Sequence, residues 1–523
     1  MTEKKQVRRA IISVYDKAGI EEFARALAGL GFEIVSSGGT ARFLRGKGVA
    51  VTDVEQVTGF PEMMDGRVKT LHPKVHGGIL ARRDAPDHMA QLEKHGIAPV
   101  DVVAVNLYPF AEVRRKPGAA EEEIVENIDI GGPSLVRSAA KNYQSVAVAT
   151  DPSHYKLIVD DLGNLGEVSL AVKRELARQA FALCSAYDAD IAGFFAGERA
   201  AGEALPSTMR LDLEKHLTLR YGENPHQAAG FYLAAGGRAP FRQLHGKEIS
   251  YNNILDLSAA WDLVSEYGRP ACAIVKHTNP CGLAEAESLL KAYMLACESE
   301  LPPGPVSRFG GIIACNRPLD METAMQIIAP GSFYEVVAAP GFFDDVGELF
   351  SGRKGWGQNV RLVQVDPQAW RRPHLLRSAA GGVLAQAPDE ASAEADKLEF
   401  AAGPKPDRAM LDDLMFAFRA VKHVKSNAIA VAKGGQLIGV GAGQMNRLAS
   451  VRLALKMAGD RARGAALASD GFFPFPDNIE AAAAAGIAAV IQPGGSVKDA
   501  EVVKRAGELG VSMVLAGVRH FRH

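Results

Sequence analysis

From residue 9 to about residue 149, short apolar runs at residues 10–14, 33–36, 100–107 and 146–149 alternate with segments whose apolar positions keep helical spacing, such as 20–30 and 40–45. This predicts an α/β unit on a largely parallel sheet. A mostly helical stretch follows, and residues 194–207, rich in Ala and Gly, predict a boundary near residue 200. The chain then divides into residues 1–200 and 201–523.

Beyond the boundary the pattern echoes itself. An apolar run at residues 272–275 is followed by a turn, a helical pattern at 286–298 and Gly310-Gly311-Ile312-Ile313-Ala314. A second run at residues 427–432 is followed by the glycine-rich 439–443, a helical pattern at 450–458 and the run 465–469. Two related α/β lobes are expected, the second from about residue 404, where Gly403-Pro404-Lys405-Pro406 marks its start. Residues 352–373 show little periodicity. Residues 481–491 read as a helix running into a short strand, far short of the ~20 residues that a bilayer demands.

The run at 271–275 ends in Lys276-His277. On a continuing strand these side chains would point to opposite faces. Asn279-Pro280 predicts that the strand has stopped, which lets both bend into one cleft. A base beside a fixed cation suits acyl or formyl transfer; the same pair also reads as a surface Lys-His in a loop.

The 523 residues, 47% of them hydrophobic, can bury more than one core. A formal net charge of −2 gives no global field for nucleic acid or an acidic membrane. Five Cys without a C-x-x-C predict reduced thiols rather than a disulfide frame or structural zinc. Asp16 and Lys17 interrupt the first apolar stretch before a signal sequence forms, so a cytoplasmic location is expected.

Further polar clusters follow apolar runs. Ser36-Ser37-Gly38-Gly39-Thr40 precedes a helical segment and can cradle a phosphate, or serve as a turn with an N-cap. Residues 67–78 bring Arg67, Lys69, Thr70, His72, Lys74 and His76 together. Asn106 and Tyr108 close the run 100–105, where α/β sheets bind ligands. Glu126 and Asp129 precede a turn and a new helix on which Arg137 and Lys141 share a face, a proton-exchange site or a structural ion pair.

In the second part, Arg220-Tyr221, Ser426-Asn427, Arg447 and the aromatic 472–476 with Asp477 suit a flat heteroaromatic ligand. Gly439-Val440-Gly441-Ala442-Gly443 resembles a dinucleotide loop, but Gln444 replaces the third Gly. There is no G-x-x-x-x-G-K-S/T and no H-E-x-x-H, so the usual hardware for ATP cleavage or zinc chemistry is missing.

In order, the strings SVYDKAG, SSGGT, RVKTLHPKVHGG, NLYPF, NIDIGGPS, AAKN, RYGENPHQ, VKHTNPCG, FGGIIA, KSNAI, GAGQM, FFPF and RHFRH resemble the family of bifunctional purine-biosynthesis enzymes. That family joins phosphoribosylaminoimidazolecarboxamide (AICAR) formyltransferase to inosine monophosphate (IMP) cyclohydrolase, and the likeness runs from about Val7 to His523. It implies a methylglyoxal-synthase-like cyclohydrolase domain, then a formyltransferase of two cytidine-deaminase-like α/β lobes without zinc. It further implies a homodimer with formyltransferase sites between subunits, AICAR, its formylated product and IMP as ligands, and 10-formyltetrahydrofolate as cosubstrate. No tightly bound cofactor and no metal is expected.

By position, the resemblance implies that His277 is the base for formyl transfer and that Lys276 stabilises its transition state. It assigns ligand contacts to Arg220, Tyr221, Gly310, Glu335, Asn427, Arg447, Phe472, Asp477 and Arg519. In the first domain it makes Lys141 the proton-transfer residue, assisted by Lys69, Tyr108 and Asp129. Ser13, Lys17, Ser37, Gly38, Gly39, Thr40, Arg67, Thr70, Asn106 and Ile130 form the implied nucleotide cradle. Tyr15, Pro476 and Glu335 depart from residues common in the family.

Overall fold

The computed structural model describes residues 8–61, 63, 64, 68, 70–196, 205, 208–298 and 308–523. Their contacts divide the chain into two compact units, Met1–Pro206 and Ser207–His523. Among the described residues no helix is long and apolar enough to cross a membrane.

The first unit is built on strands β1 (Arg8–Ser13), β2 (Phe32–Ser36), β3 (Thr52–Asp53), β4 (Val102–Val105) and β5 (Ala147–Ala149). Among the described residues they form one sheet in the order β3-β2-β1-β4-β5, parallel throughout. β4 is apolar and buried at every position, as a strand covered on both faces must be. The helix Ile20–Gly29 buries Ile20, Phe23, Ala24 and Leu27, the i, i+3, i+4, i+7 stripe of a one-sided helix. The chain moves outward from β1 to β3, then returns to β4 and β5. The reversal between β1 and β4 opens a crevice at their carboxyl ends, where open α/β sheets bind ligands.

The second unit contains β6 (Leu213–Leu219), β7 (Ala229–Ala234), β8 (Phe241–His245), β9 (Ala271–Lys276), β10 (Asn279–Glu285), β11 (Gly311–Cys315), β12 (Tyr334–Ala339) and β13 (Arg361–Val365). It continues with β14 (Leu375–Ala379), β15 (Gly382–Gln386), β16 (Glu399–Ala402), β17 (Ile429–Lys433), β18 (Gln436–Gly441), β19 (Ala466–Ser469), β20 (Ala489–Gln492) and β21 (Ser512–Leu515). β6–β7 and β14–β15 are separate hairpins. The other described strands form one sheet in the order β16-β21-β20-β19-β17-β18-β10-β9-β11-β12-β13-β8.

This sheet is a repeat. Each half takes the same path, an edge strand, a helix, an antiparallel hairpin and three further strands with helices between them, and the halves meet where β10 pairs antiparallel with β18. The helices Tyr251–Val264 and Arg408–Lys422 cover one face in a common core, whereas the opposite faces have separate cores. β9 shows the two-residue period: Ala271, Ala273 and Val275 enter the shared core, Cys272 and Ile274 the other.

Three details differ from the sequence expectation. The segment 279–285 is a strand, because β9 reverses through a two-residue turn and Pro280 sits beside a bulge that tolerates its missing N–H. β13 lies inside the stretch without clear periodicity. β16 precedes the Gly403–Pro406 turn and pairs with β21, so the second half of the sheet begins before that turn.

Candidate active sites

In the first unit the crevice is built from the exits of β1, β2 and β4. Asn106, just past β4, accepts the backbone N–H of Tyr15 and of Asp16 (3.0 Å) and donates to the Asp16 carbonyl at 3.0 Å. It thereby ties the β1 exit, after Ser13, to β4. Lys17 donates to the carbonyls of Val14 and, at 3.0 Å, Tyr15; burial lowers its pKa, with Asp16 opposing. Beyond β2, Ser37 precedes the helix Gly38–Gly46, and Gly38 has φ +52°, a value that favours glycine. Ser37, Gly38 and Gly39 present this helix start beside the crevice. Thr40 is buried, and its hydroxyl is spent on the Val14 backbone, at 2.9 and 3.2 Å, so it holds the helix against the β1 exit.

A second cluster surrounds the start of the helix Gly131–Lys141. Asp129 accepts the Gly132 N–H at 2.8 Å, with the Tyr108 and Gly131 backbones as further partners. Burial nevertheless raises its pKa above the ordinary carboxylate value, those donors opposing. A Cβ on Gly132 would lie 2.2 Å from Asp129 Oδ2, and one on Gly131 2.7 Å from Thr70 Oγ1. The two glycines thus let Asp129 and Thr70 close over the helix start. Tyr187 adds a support with no local sequence signal, its hydroxyl accepting the Asp129 N–H at 2.7 Å. Tyr108 is exposed and meets Tyr15 edge-on at 6.0 Å, and Ile130 is exposed at the helix N-cap.

Lys141 is not brought to this cluster. It ends the eleven-residue helix that Asp129 precedes, and a rise of 1.5 Å per residue puts about 15 Å between the two ends. Arg67 and Lys69 lie outside the described residues.

In the second unit the chemistry centres on the turn between β9 and β10. His277 and Thr278 form it with φ +56° and +61°, a left-handed geometry that costs non-glycine residues about 1–3 kcal/mol each. The Asp256 carboxylate, from the helix Tyr251–Val264, accepts the N–H of His277 at 3.2 Å and of Thr278 at 2.6 Å. Asn279 donates to the His277 carbonyl at 3.0 Å and accepts the Lys425 N–H at 3.1 Å. The His277 side is therefore held at both backbone groups while the residue stays exposed. Lys276 uses one ammonium proton on the Phe309 carbonyl at 2.9 Å, next to Gly310, whose φ is +76°; among the described residues two donors remain.

The Lys425 link brings in the other lobe. Arg447 is buried against the fully buried Asp470 and donates to Ser469 at 2.8 Å and Asn427 Oδ1 at 2.9 Å. Its charge is neutralised inside the protein, so it fixes Asn427 rather than standing free for a ligand. The C-terminal segment lies along the same strand entrance: Ser426 donates to the Arg522 carbonyl (2.9 Å), His520 to that of Asp470 (3.0 Å), and Lys425 to that of His523 (2.7 Å). Arg519 stacks over Phe521 at 4.3 Å.

Other predicted contacts are more dispersed. Phe472 is partly exposed just after Asp470 and Gly471, and Asp477 opens the helix Asp477–Ala484, accepting from Asn478 at 2.7 Å. Glu335 pairs with Arg361 at 2.5 Å. Arg220 and Tyr221 stack on one another at 4.7 Å, with a 2.9 Å bond between them. Sequence reasoning missed Asp256, Asn279 and Asp470. The internal repeat held a signal for Asp256, since Asp413 occupies the same place in the helix before the second hairpin.

Comparison with known proteins finds two family models along the chain, the second of which crosses the boundary between the two units. Residues 19–134 match the model of the MGS-like domain, and residues 139–457 that of the AICARFT/IMPCHase bienzyme. The fold and sites thus define a two-unit α/β bienzyme. The bifunctional purine biosynthesis protein PurH of Desulfitobacterium hafniense (strain DSM 10664 / DCB-2) is 49% identical over 99% of this chain and 100% of its own. PurH proteins of Anoxybacillus flavithermus and a Thermoanaerobacter species are 47% and 45% identical over the same shares. A solved chain described as the crystal structure of ForH is 35% identical, covering 36% of this chain and 99% of its own, with a TM-score of 0.33. The chain belongs to the PurH family of bifunctional formyltransferase and IMP cyclohydrolase enzymes.

Proposed function

We propose that the second unit transfers the formyl group of 10-formyltetrahydrofolate to the 5-amino group of AICAR, with His277 as base and Lys276 as oxyanion partner. The observation that carries this reading is the turn itself: a strained hairpin, held at both backbone groups, presents an exposed imidazole next to a lysine with two donors that no described residue takes. The amine lone pair of AICAR is delocalised into its ring and carboxamide, so attack on the formyl carbon needs simultaneous proton removal. His277 takes that proton and Lys276 steadies the charge on the formyl oxygen. The bond to N10 of the folate then breaks, and that nitrogen is reprotonated. Each device contributes ~10²–10⁴ in rate.

The first unit closes the ring. The carboxamide nitrogen attacks the new formyl carbon and water leaves, so the site must select the reactive rotamer and move protons. Asp129, whose raised pKa suits it to carry a proton, and the adjacent Tyr108 perform this at the start of the helix Gly131–Lys141. Lys69 is the cation that the family resemblance adds. Lys141 stays outside the proton step because of the helix between it and Asp129. The enzyme works in the cytoplasm and, as the resemblance implies, as a homodimer.

The test follows tetrahydrofolate and IMP separately with the purified protein. His277→Ala should lower formyl transfer by at least ~10²-fold while cyclisation of supplied formylated intermediate stays near wild type. Asp129→Asn should do the reverse, and Lys141→Ala should cost cyclisation less than Asp129→Asn does. A folded His277→Ala protein that still transfers formyl removes the assignment of the base.

A further inference from the structure

Asp256 carries no chemistry in the reading above, yet its carboxylate accepts both N–H groups of the His277–Thr278 turn. The second lobe contains the same device. Asp413, in the helix Arg408–Lys422, accepts the N–H of Gly434 at 2.8 Å and of Gly435 at 2.9 Å. These two residues join β17 to β18 with φ +62° and +70°. Each carboxylate is the sixth residue of its helix, and each turn follows a strand-terminal lysine, Lys276 or Lys433.

The two turns differ in what occupies them. Gly434 and Gly435 adopt left-handed backbone without steric cost. His277 and Thr278 do not, and β-branched Thr278 is among the residues least suited to it. In the second lobe the carboxylate caps a turn that its own residues already favour. In the first it opposes a conformational preference of the residues that carry the imidazole.

We infer that Asp256 is a positioning residue for formyl transfer, holding the His277–Thr278 turn in the strained geometry that aims the imidazole at the substrate amine. This rests on His277 being the base. Loss of the clamp lets the turn relax while the fold persists. Because misplacement by about 1 Å can cost ~10²-fold in rate, the effect falls on kcat rather than on nucleotide binding.

The test compares variants of the full-length protein. Asp256→Asn keeps the side-chain shape but turns an amide NH₂ toward one backbone N–H. It should lower kcat for formyl transfer by roughly 10–100-fold, with KM for AICAR within about 3-fold and cyclisation of supplied intermediate unchanged. Asp413→Asn makes the same change at the glycine turn and should leave formyl transfer within about 2-fold of wild type. Adding Thr278→Gly to Asp256→Asn gives the turn the glycine that Gly435 supplies in the second lobe and should recover at least about 5-fold of the lost kcat, because glycine adopts the left-handed geometry without the clamp.

A folded Asp256→Asn protein with near wild-type kcat overturns the proposal. So does an equal loss in Asp413→Asn, or the absence of recovery in the double variant. Retained activity in His277→Ala instead overturns the assignment of the base, which keeps the two failures apart.

Discussion

The two lobes of the second unit share one chain path and equip it differently. At one end of the central strands the first lobe offers His277–Thr278, and the second offers Asn427 with the Arg447–Asp470 pair behind it. At the other end the equivalent places hold Gly434–Gly435 and Pro270, with neither imidazole nor amide. A repeat of this kind generates two potential sites, and the one proposed above lies at the first of these ends. The site belongs to neither lobe alone; Asn279, bonded to His277 on one side and Lys425 on the other, is where the halves meet.

The strongest way to break the comparison is at the residue after the first strand beyond each hairpin, Asp470 after β19 and Asn316 after β11. Both donate their N–H to the start of the neighbouring hairpin, at Ala428 and Ala271. Asp470→Ala leaves Arg447 buried without its partner and should destabilise the unit by about 3–5 kcal/mol, with formyl transfer falling as Asn427 loses its anchor. Asn316→Ala breaks only neutral bonds, to Ala271, Tyr267 and Arg269, and should cost about 1–3 kcal/mol. Denaturant titration measures both, and equal losses would refute the asymmetry.

A medium effect tests what the lobes keep in common. Gly282 and Gly439 sit at equivalent points of β10 and β18, and a Cβ on either would lie 2.3 or 2.2 Å from a helix carbonyl, of Ala296 or Ala454. Gly282→Ala and Gly439→Ala should each cost about 1–3 kcal/mol through overpacking, and by similar amounts. A large disparity in their unfolding midpoints would show that the equivalence ends at the backbone.

The smallest effect concerns a pair the repeat itself brings together. Glu266 and His423, each just beyond the shared-core helix of its lobe, bond to one another at 3.1 Å. Burial lowers the His423 pKa, the Glu266 bond opposing; Arg522 donates to its Nδ1 at 3.0 Å, which suits the neutral ring. Burial alone would raise Glu266, but bonds from His423 and Lys422 outweigh it and hold it at about 2. Since His423 takes a proton more readily when unfolded, its contribution is complete above ~6.5 and is lost as pH falls below that. Glu266 adds a loss from ~4.3 downward, continuing through about 2. Thermal melts should decline below pH 6.5 by at most ~1.4 kcal/mol per unit for His423 alone, and His423→Gln should flatten that first slope.

Much of this was legible in the sequence because it is written locally. The parallel sheet of the first unit follows from short apolar runs between amphipathic helices, and the repeat from the paired runs near 272 and 427. Other features depend on long-range contacts. Asp256 meets its turn from a helix 21 residues upstream, and Tyr187 reaches Asp129 across 58 residues. Arg447 reads as a free cation until Asp470 is seen beside it. Gly439 and Gly441 resemble a phosphate loop, but a Cβ on them would strike the carbonyls of Ala454 and Ser450; they allow a helix to approach a strand. Pro280 suggests an end to regular structure and instead lies in a central strand.

That strand, β10, has a further consequence for synthesis. Its outer partner β18 lies roughly 150 residues later in the chain, on the order of 10–30 s at ribosomal speeds of ~5–20 residues per second. Throughout that interval a strand destined for the middle of the sheet is an unpaired edge, the kind of surface through which nascent chains stick to one another. Pro280 removes one donor from it, and the adjacent bulge breaks its flatness. The residue that looks like a flaw in a finished sheet is thus a guard for an unfinished one.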